Sequence, residues 1–127
     1  MQRAQIIAFD VTDRLADLLR ELAREKGLWL RPVSHVKTCI NLLRQGAEML
    51  VLCVGKDLDR ETALLDRVSR LFPLTRTIVV GNGPNPALAG LAWELGAGYV
   101  LFPPQPIEAI REVVLSIVTP LQGAVAP

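Results

Sequence analysis

Five short apolar runs divide the chain, and segments with helical periodicity separate them. A run of about four to eight apolar residues suits a β-strand, whereas apolar residues three or four positions apart suit an amphipathic helix. Strands that alternate with helices in this way predict parallel βαβ units with right-handed crossovers. The five runs are QIIAF (5–9), LWLRPV (28–33), MLVLCV (49–54), TIVV (77–80) and YVLF (99–102).

Residues typical of helix ends set the expected bounds of the five helices. Hydroxyl and carboxylate side chains suit the N-cap, glycine suits the residue that ends a helix, and proline suits the first turn. The expected starts are Thr12 or Asp13, Ser34, Asp57 or Asp59, the PNP segment (84–86) and Pro106. The expected ends are Gly27, Gly46, Pro73 and Val118, with Pro120 beyond the last.

The composition of each run separates central strands from edge strands. MLVLCV and TIVV are apolar almost throughout, as is typical of strands covered by helices on both faces. LWLRPV contains Pro32, which cannot donate a ladder hydrogen bond, so this run belongs at an edge. The sequence therefore predicts an α/β fold, a flavodoxin-like (βα)5 doubly wound parallel sheet with strand order 2-1-3-4-5. This domain covers 1–120, and 121–127 form a tail or the start of a linker.

Composition narrows the classes of function. Half of the 127 residues are hydrophobic and the formal net charge is +1, so the domain has no basic footprint for nucleic acid. No apolar stretch is long enough to cross a membrane, and two cysteines are too few for a disulfide framework. We therefore expect a reducing, cytoplasmic setting, although a Cys39–Cys53 bridge stays open at this point.

Five residues lie at the carboxyl ends of four strands, which meet at one edge of the predicted sheet. Asp10 and Val11 follow the first strand, Cys53 lies in the third, Gly81 follows the fourth and Pro103 follows the fifth. The segments QIIAFDVTDRLADLLREL, EMLVLCV and GAGYVLFPPQPIEAI resemble the corresponding parts of the receiver domains of bacterial response regulators. The resemblance covers residues 4 to about 119, which is nearly the whole chain.

The resemblance also implies which chemistry is missing. Receivers bind Mg²⁺ with two adjacent acids, where this chain has Asp10 and Val11, and accept the phosphoryl group on an aspartate, where it has Cys53. They carry Thr or Ser at the position of Gly81 and Lys at that of Pro103. Nothing would then neutralise a transferring phosphoryl group. We therefore expect a degenerate, non-catalytic receiver of two-component or phosphorelay type, with no metal and no cofactor.

The alternative hypothesis assigns chemistry to Cys53, in a small thiol-dependent enzyme or redox switch. A reactive thiolate needs a neighbouring cation or a helix N-terminus to lower its pKa. Lys56 is the nearest cation in sequence, but Asp57 offsets it, and Arg60 comes one residue too late for the Cys-x5-Arg spacing of tyrosine-phosphatase-like sites. Cys53 is therefore expected chiefly as a core residue.

If the strand ends carry no chemistry, the function belongs to the surface. The segment ALAGLAWEL (87–95) carries one charge and is apolar almost all round, which exceeds what one sheet face requires. The resemblance implies that the fourth helix, fifth strand and fifth helix form the partner face, for a protein partner or a homodimer. The alternative is a slanted packing that buries more of both helices. The candidate contact residues are Leu88, Leu91, Trp93, Tyr99, Val113 and Val118.

Overall fold

The structure, a computed structural model, describes residues 4–123, with side chains described as far as Val118. Five parallel strands form one sheet in the order β2-β1-β3-β4-β5, so the predicted fold and strand order are confirmed. The strands are β1 (Gln5–Phe9), β2 (Trp29–Val33), β3 (Met49–Val54), β4 (Arg76–Gly81) and β5 (Tyr99–Leu101). The helices are α1 (Asp13–Lys26), α2 (Val36–Arg44), α3 (Leu58–Leu71), α4 (Pro86–Glu94) and α5 (Ile110–Gly123), and a 3-10 turn (Ile107–Ala109) precedes α5.

Each face of the sheet packs against its own helices. Alternate residues of a strand point to opposite faces, so Leu50 and Leu52 pack against α2, α3 and α4. Met49 and Val51 pack against α1 and α5. All four side chains are buried, and this two-sided burial is why β3 is apolar at every position. Among the helices of residues 4–123, none has both the length and the apolar character needed to span a bilayer.

Three of the predicted helix starts are confirmed by their capping bonds. Thr12 Oγ1 accepts from the Leu15 amide at 3.3 Å, and Asp57 Oδ1 accepts from the Arg60 amide at 3.2 Å. Asn85, within the predicted PNP segment, accepts from the Leu88 amide at 3.0 Å. These bonds satisfy amide groups that have no partner inside the helix.

The predicted start of α2 is wrong by one residue. Ser34 was expected to cap the helix, but the N-cap is His35, whose side chain makes no capping bond. The Ser34 carbonyl oxygen instead accepts a hydrogen bond from Arg60 Nη2 at 2.5 Å. The loop before α2 is therefore fixed by α3 and not by a local cap.

The predicted end of α5 is also wrong, and two of its predicted contact residues are buried. The helix continues through Pro120 to Gly123. Its buried stripe begins at Ile110, because Ile107 lies in the preceding 3-10 turn and is only partly buried. Val113 and Val118, expected on the partner face, fall on this stripe with 6% and 1% of their surface exposed. Both side chains pack against the sheet, so they are not available for contact with a partner.

Candidate functional site

A pocket of about 310 Å³ lies at the carboxyl ends of β1, β3, β4 and β5. This edge is where doubly wound sheets place their ligands, because the strand order reverses between β1 and β3. It brings together four of the five positions singled out in the sequence, whereas Val11 packs partly buried against the α1 and α5 core. The polar lining residues are Asp10, Thr12, Lys56, Asn82 and Gln105. The remaining lining residues are Cys53, Val54, Val80, Gly81, Leu101, Pro103 and Ile107.

Asp10 faces a guanidinium group. Its backbone is left-handed, with φ of 52°, and its amide donates to the Val33 carbonyl oxygen at 3.0 Å. Arg60 Nη1 lies 3.8 Å from Asp10 Oδ2, which places a positive charge beside the carboxylate without a direct hydrogen bond. The guanidinium also stacks 5.0 Å above the centre of the Phe9 ring. Arg60 thus links the ends of β1 and β2 to α3.

The residues around Asp10 do not fit a magnesium site. Mg²⁺ requires near-octahedral oxygen coordination, usually with one or two carboxylates. Asp10 is the only carboxylate lining the pocket in the described part of the chain. Cys53 presents sulfur, and Arg60 already supplies a positive charge beside Asp10. Within residues 4–123, no group of three His, Cys, Asp or Glu side chains is arranged to hold a metal ion.

Phe102 occupies the space beside Gly81 where receivers carry a hydroxyl side chain. A Cβ atom at residue 81 would lie 2.7 Å from Phe102 Cγ and closer still to Cδ2 and Cε2. The Phe102 ring is buried, with 7% of its surface exposed, and belongs to the core beneath α2, α3 and α4. A threonine or serine at residue 81 therefore cannot be accommodated unless this ring moves.

The surroundings of Cys53 do not activate its thiol. Burial raises the pKa of Cys53 to about 11, a hydrogen bond donated by the Thr12 backbone lowers it, and the charge of Glu61 raises it. Cys39 is fully buried on the opposite face of the sheet, and burial raises its pKa to about 11 as well. Both cysteines are free, so no Cys39–Cys53 bridge forms.

Glu61 is a buried carboxylate that organises the loop between β3 and α3. Only 2% of its surface is exposed. Its two oxygens accept from the Gly55 amide at 2.8 Å and from the Asp57 amide at 3.2 Å. The bond to Asp57 resembles the return bond of a capping box, because Asp57 is the N-cap of α3. Gly55 has φ of 130°, so this loop conformation depends on both the glycine and Glu61.

Three residues of the site were not predicted from the sequence: Arg60 as a charge partner, Phe102 as a blocking residue and Glu61 as a loop anchor. Each of them contacts residues that only the folded chain brings close. The sequence of helix α3 does not distinguish positions 60 and 61 from other polar positions on the helix. The one usable signal was Glu61, an acid four residues after the N-cap Asp57. This lies one position beyond the usual capping-box spacing.

The expected partner face, formed by α4, β5 and α5, exposes three of its six predicted residues. Leu91, Trp93 and Tyr99 are 40%, 50% and 37% exposed, and the Trp93 and Tyr99 rings meet edge to face at 6.3 Å. Leu88 is half-buried against the core. A groove of about 430 Å³ lies beside Tyr99. Its lining includes the apolar Val113, Ile117 and the 91% exposed Leu74, and also the charged Glu48 and Arg76.

This sheet order, with a pocket at the carboxyl ends of the strands, defines a doubly wound α/β protein of the flavodoxin-like class. A response regulator from Thermotoga maritima has a similar structure, with a TM-score of 0.77 at 15% identity, over 93% of this chain and 99% of that one. An orphan response regulator of H. pylori gives a TM-score of 0.75 at 12% identity, over 92% and 99%. The signal receiver domain of an HD domain-containing protein from Pseudomonas fluorescens Pf-5 gives 0.77 at 16%, over 96% and 99%.

These similarities establish the fold, which is that of response-regulator receiver domains, as the resemblance in sequence implied. No protein-family model matches the sequence, and no curated protein matches it.

Proposed function

We propose that this chain is a non-catalytic, receiver-like signalling module of two-component or phosphorelay type, which acts by protein–protein contact in the cytoplasm. The observation that carries the proposal is the lining of the strand-end pocket. Among the described residues this lining holds one carboxylate, Asp10, and one ammonium group, Lys56, together with a thiol and apolar side chains. A phosphoryl group in this pocket would meet no pair of acids to bind Mg²⁺, no lysine after β5 and no hydroxyl at residue 81. Lys56 is the one cationic side chain that lines the pocket among the described residues, and without a bound metal it would leave most of the charge on a transferring group unneutralised.

A thiol-dependent function has no support from the geometry. A nucleophilic cysteine requires a lowered pKa, and the pKa of Cys53 is raised to about 11 by burial. The neighbouring carboxylates Glu61 and Asp10 both act in the raising direction. At neutral pH the thiolate fraction is therefore small, and Cys53 serves as part of the pocket wall.

The surface that carries the function is the α4–β5–α5 face, defined by Leu91, Trp93, Tyr99 and the groove beside Tyr99. On this face the exposed rings of Trp93 and Tyr99 lie beside the groove. Protein interfaces are often centred on aromatic side chains that fill a pocket of the partner, so the face offers both parts of such a contact. Exposed apolar side chains of this size are costly to leave in water. The chemistry of the face suits an apolar partner surface.

The partner that fits this face is a second copy of the chain. Beyond residue 76 the chain carries four charged side chains, Glu94, Glu108, Arg111 and Glu112. Arg111 is held by Glu25 of α1 through bonds of 2.7 and 2.9 Å, and Glu108 pairs with Arg14 of the same helix. Two of these four charged side chains, Arg111 and Glu108, therefore form ion pairs with residues of α1. In a two-fold interface the same patch of each copy meets, and only residues near the axis face their own counterparts. The groove adds Glu48 and Arg76, which are of opposite sign, so a face with so few charges meets little repulsion.

Replacing Trp93 by glutamate tests this interface. The wild-type chain is expected to have a solution mass of twice 13.9 kDa, and the variant a mass near 13.9 kDa. Losing an aromatic anchor and placing two like charges opposite each other should weaken the dimer by at least about a hundredfold, or roughly 3 kcal/mol. Multi-angle light scattering at matched concentrations measures the mass.

The matched control is Trp29→Glu. Trp29 is 46% exposed on β2, at the opposite edge of the sheet from β5. This substitution makes the same change of charge and size at a surface that lies outside the proposed interface. The Trp29→Glu variant should therefore remain a dimer. A monomeric wild type, or equal masses for the two variants, would contradict the proposed interface.

A further inference from the structure

We propose that the strand-end pocket binds a small two-ring aromatic molecule that carries a ring N–H, of the size and chemistry of indole. The inference concerns a ligand site and is independent of whether the chain forms a dimer. It rests on the volume of the pocket, the apolar character of its floor and the acceptor groups at its rim.

The volume of the pocket sets the size of the ligand. At about 310 Å³ it has about twice the volume of an engineered cavity of about 150 Å³ that holds benzene. It also falls within the range of about 300 to 1,000 Å³ that small-molecule sites occupy. A molecule with two fused rings therefore fits within this volume.

The floor of the pocket favours an aromatic surface. Val80, Leu101, Ile107 and the half-buried Cys53 contribute apolar carbon and sulfur atoms. Water against such a floor finds few hydrogen-bond partners, so its displacement by a flat ring is favourable. The sulfur atom of Cys53 can also make a favourable sulfur–aromatic contact with a bound ring.

The rim of the pocket favours a donor on the ring. Asp10 keeps free acceptor capacity, because Arg60 lies 3.8 Å from its carboxylate and makes no hydrogen bond to it. Within the described residues, the side-chain amides of Asn82 and Gln105 also make no hydrogen bond. A ring N–H that reaches the rim therefore meets an acceptor. Asp10 and Lys56 place one negative and one positive charge in the lining, so the pocket does not select for an anion, and a neutral ring suits it.

Alkylation of Cys53 provides a direct test, because the thiol lies in the pocket wall. Iodoacetamide labelling is measured at alkaline pH, where the raised pKa of about 11 still permits a measurable rate. Indole should slow labelling of Cys53 by the factor 1 + [L]/Kd, or about threefold at twice its Kd. Cys39 is fully buried on the other face of the sheet and should stay unlabelled in the native protein with or without indole, which checks that labelling of Cys53 does not report unfolding.

Saturation-transfer NMR with indole locates the site among variants. The signal should persist in Trp93→Glu and disappear in two variants that fill the pocket, Cys53→Leu and Ile107→Phe. Both pocket positions are only partly buried, and circular dichroism checks that each variant is folded. An unchanged Cys53 labelling rate up to the solubility limit of indole overturns the proposal. A signal that survives in a folded pocket-filling variant, or that is lost in Trp93→Glu, also overturns it.

Discussion

Replacing Gly81 by alanine is expected to lower the free energy of unfolding by about 2 to 3 kcal/mol, because overpacking a core typically costs this much. The added Cβ would lie 2.7 Å from Phe102 Cγ, inside van der Waals contact distance. Phe102 is 7% exposed, so its ring can make room only by disturbing the core beneath α2, α3 and α4. Urea unfolding at one fixed protein concentration, followed by circular dichroism, measures the loss.

Gly83→Ala is the matched control. A Cβ atom at residue 83 would meet nothing within 4 Å, so this change should alter stability by less than about 0.5 kcal/mol. Adding Phe102→Ala to Gly81→Ala should relieve the clash, so the double variant should lose less stability than the two single losses combined. Equal stabilities for the two glycine variants would show that Phe102 does not block residue 81.

Replacing Glu61 by alanine is expected to destabilise the protein by about 3 kcal/mol, since each buried donor left without its acceptor costs about 1 to 3 kcal/mol. The Gly55 and Asp57 amides would both lose their carboxylate partner, and a small cavity would remain where the side chain packed. The β3–α3 loop should also exchange its amide hydrogens faster. Chemical unfolding and hydrogen exchange measure the two effects.

Asp59→Ala and Glu61→Gln are the controls for this prediction. Asp59 is an exposed acid in the same helical turn, so its removal should cost no more than about 1 kcal/mol of helix-dipole interaction. Glutamine at residue 61 keeps one acceptor oxygen and should give an intermediate loss. If Glu61→Ala is as stable as Asp59→Ala, the buried carboxylate does not anchor the loop.

The sheet could be predicted from the sequence because its pattern is imposed by burial on two faces. β3 and β4 are apolar because helices cover both sides of the central strands, and Pro32 marks an edge because it cannot donate to a neighbour. The phase of α5 could not be read in the same way. The helix has more apolar residues than one buried stripe requires, so several stripes are possible from the sequence. The structure shows that the buried stripe runs from Ile110 to Val118 and that Ile107 lies before it, in the 3-10 turn.

The positions of the site residues could be predicted, but the contacts that define their chemistry could not. Asp10, Cys53, Gly81 and Pro103 converge because parallel strands end at one edge. The contacts of Arg60 with Asp10 and of Phe102 with Gly81 depend on packing between distant segments. A sequence pattern reports the local period of burial and carries no information about such pairings.

The most direct test of a receiver fold that acts without phosphorylation is its solution mass with and without Mg²⁺ and acetyl phosphate. Intact-mass spectrometry of the same samples detects any phosphoryl adduct, and a conventional response regulator serves as the positive control. The predicted result is a dimer of twice 13.9 kDa in both conditions, with no adduct. A Mg²⁺-dependent adduct, or a change in mass when the donor is added, would contradict the account.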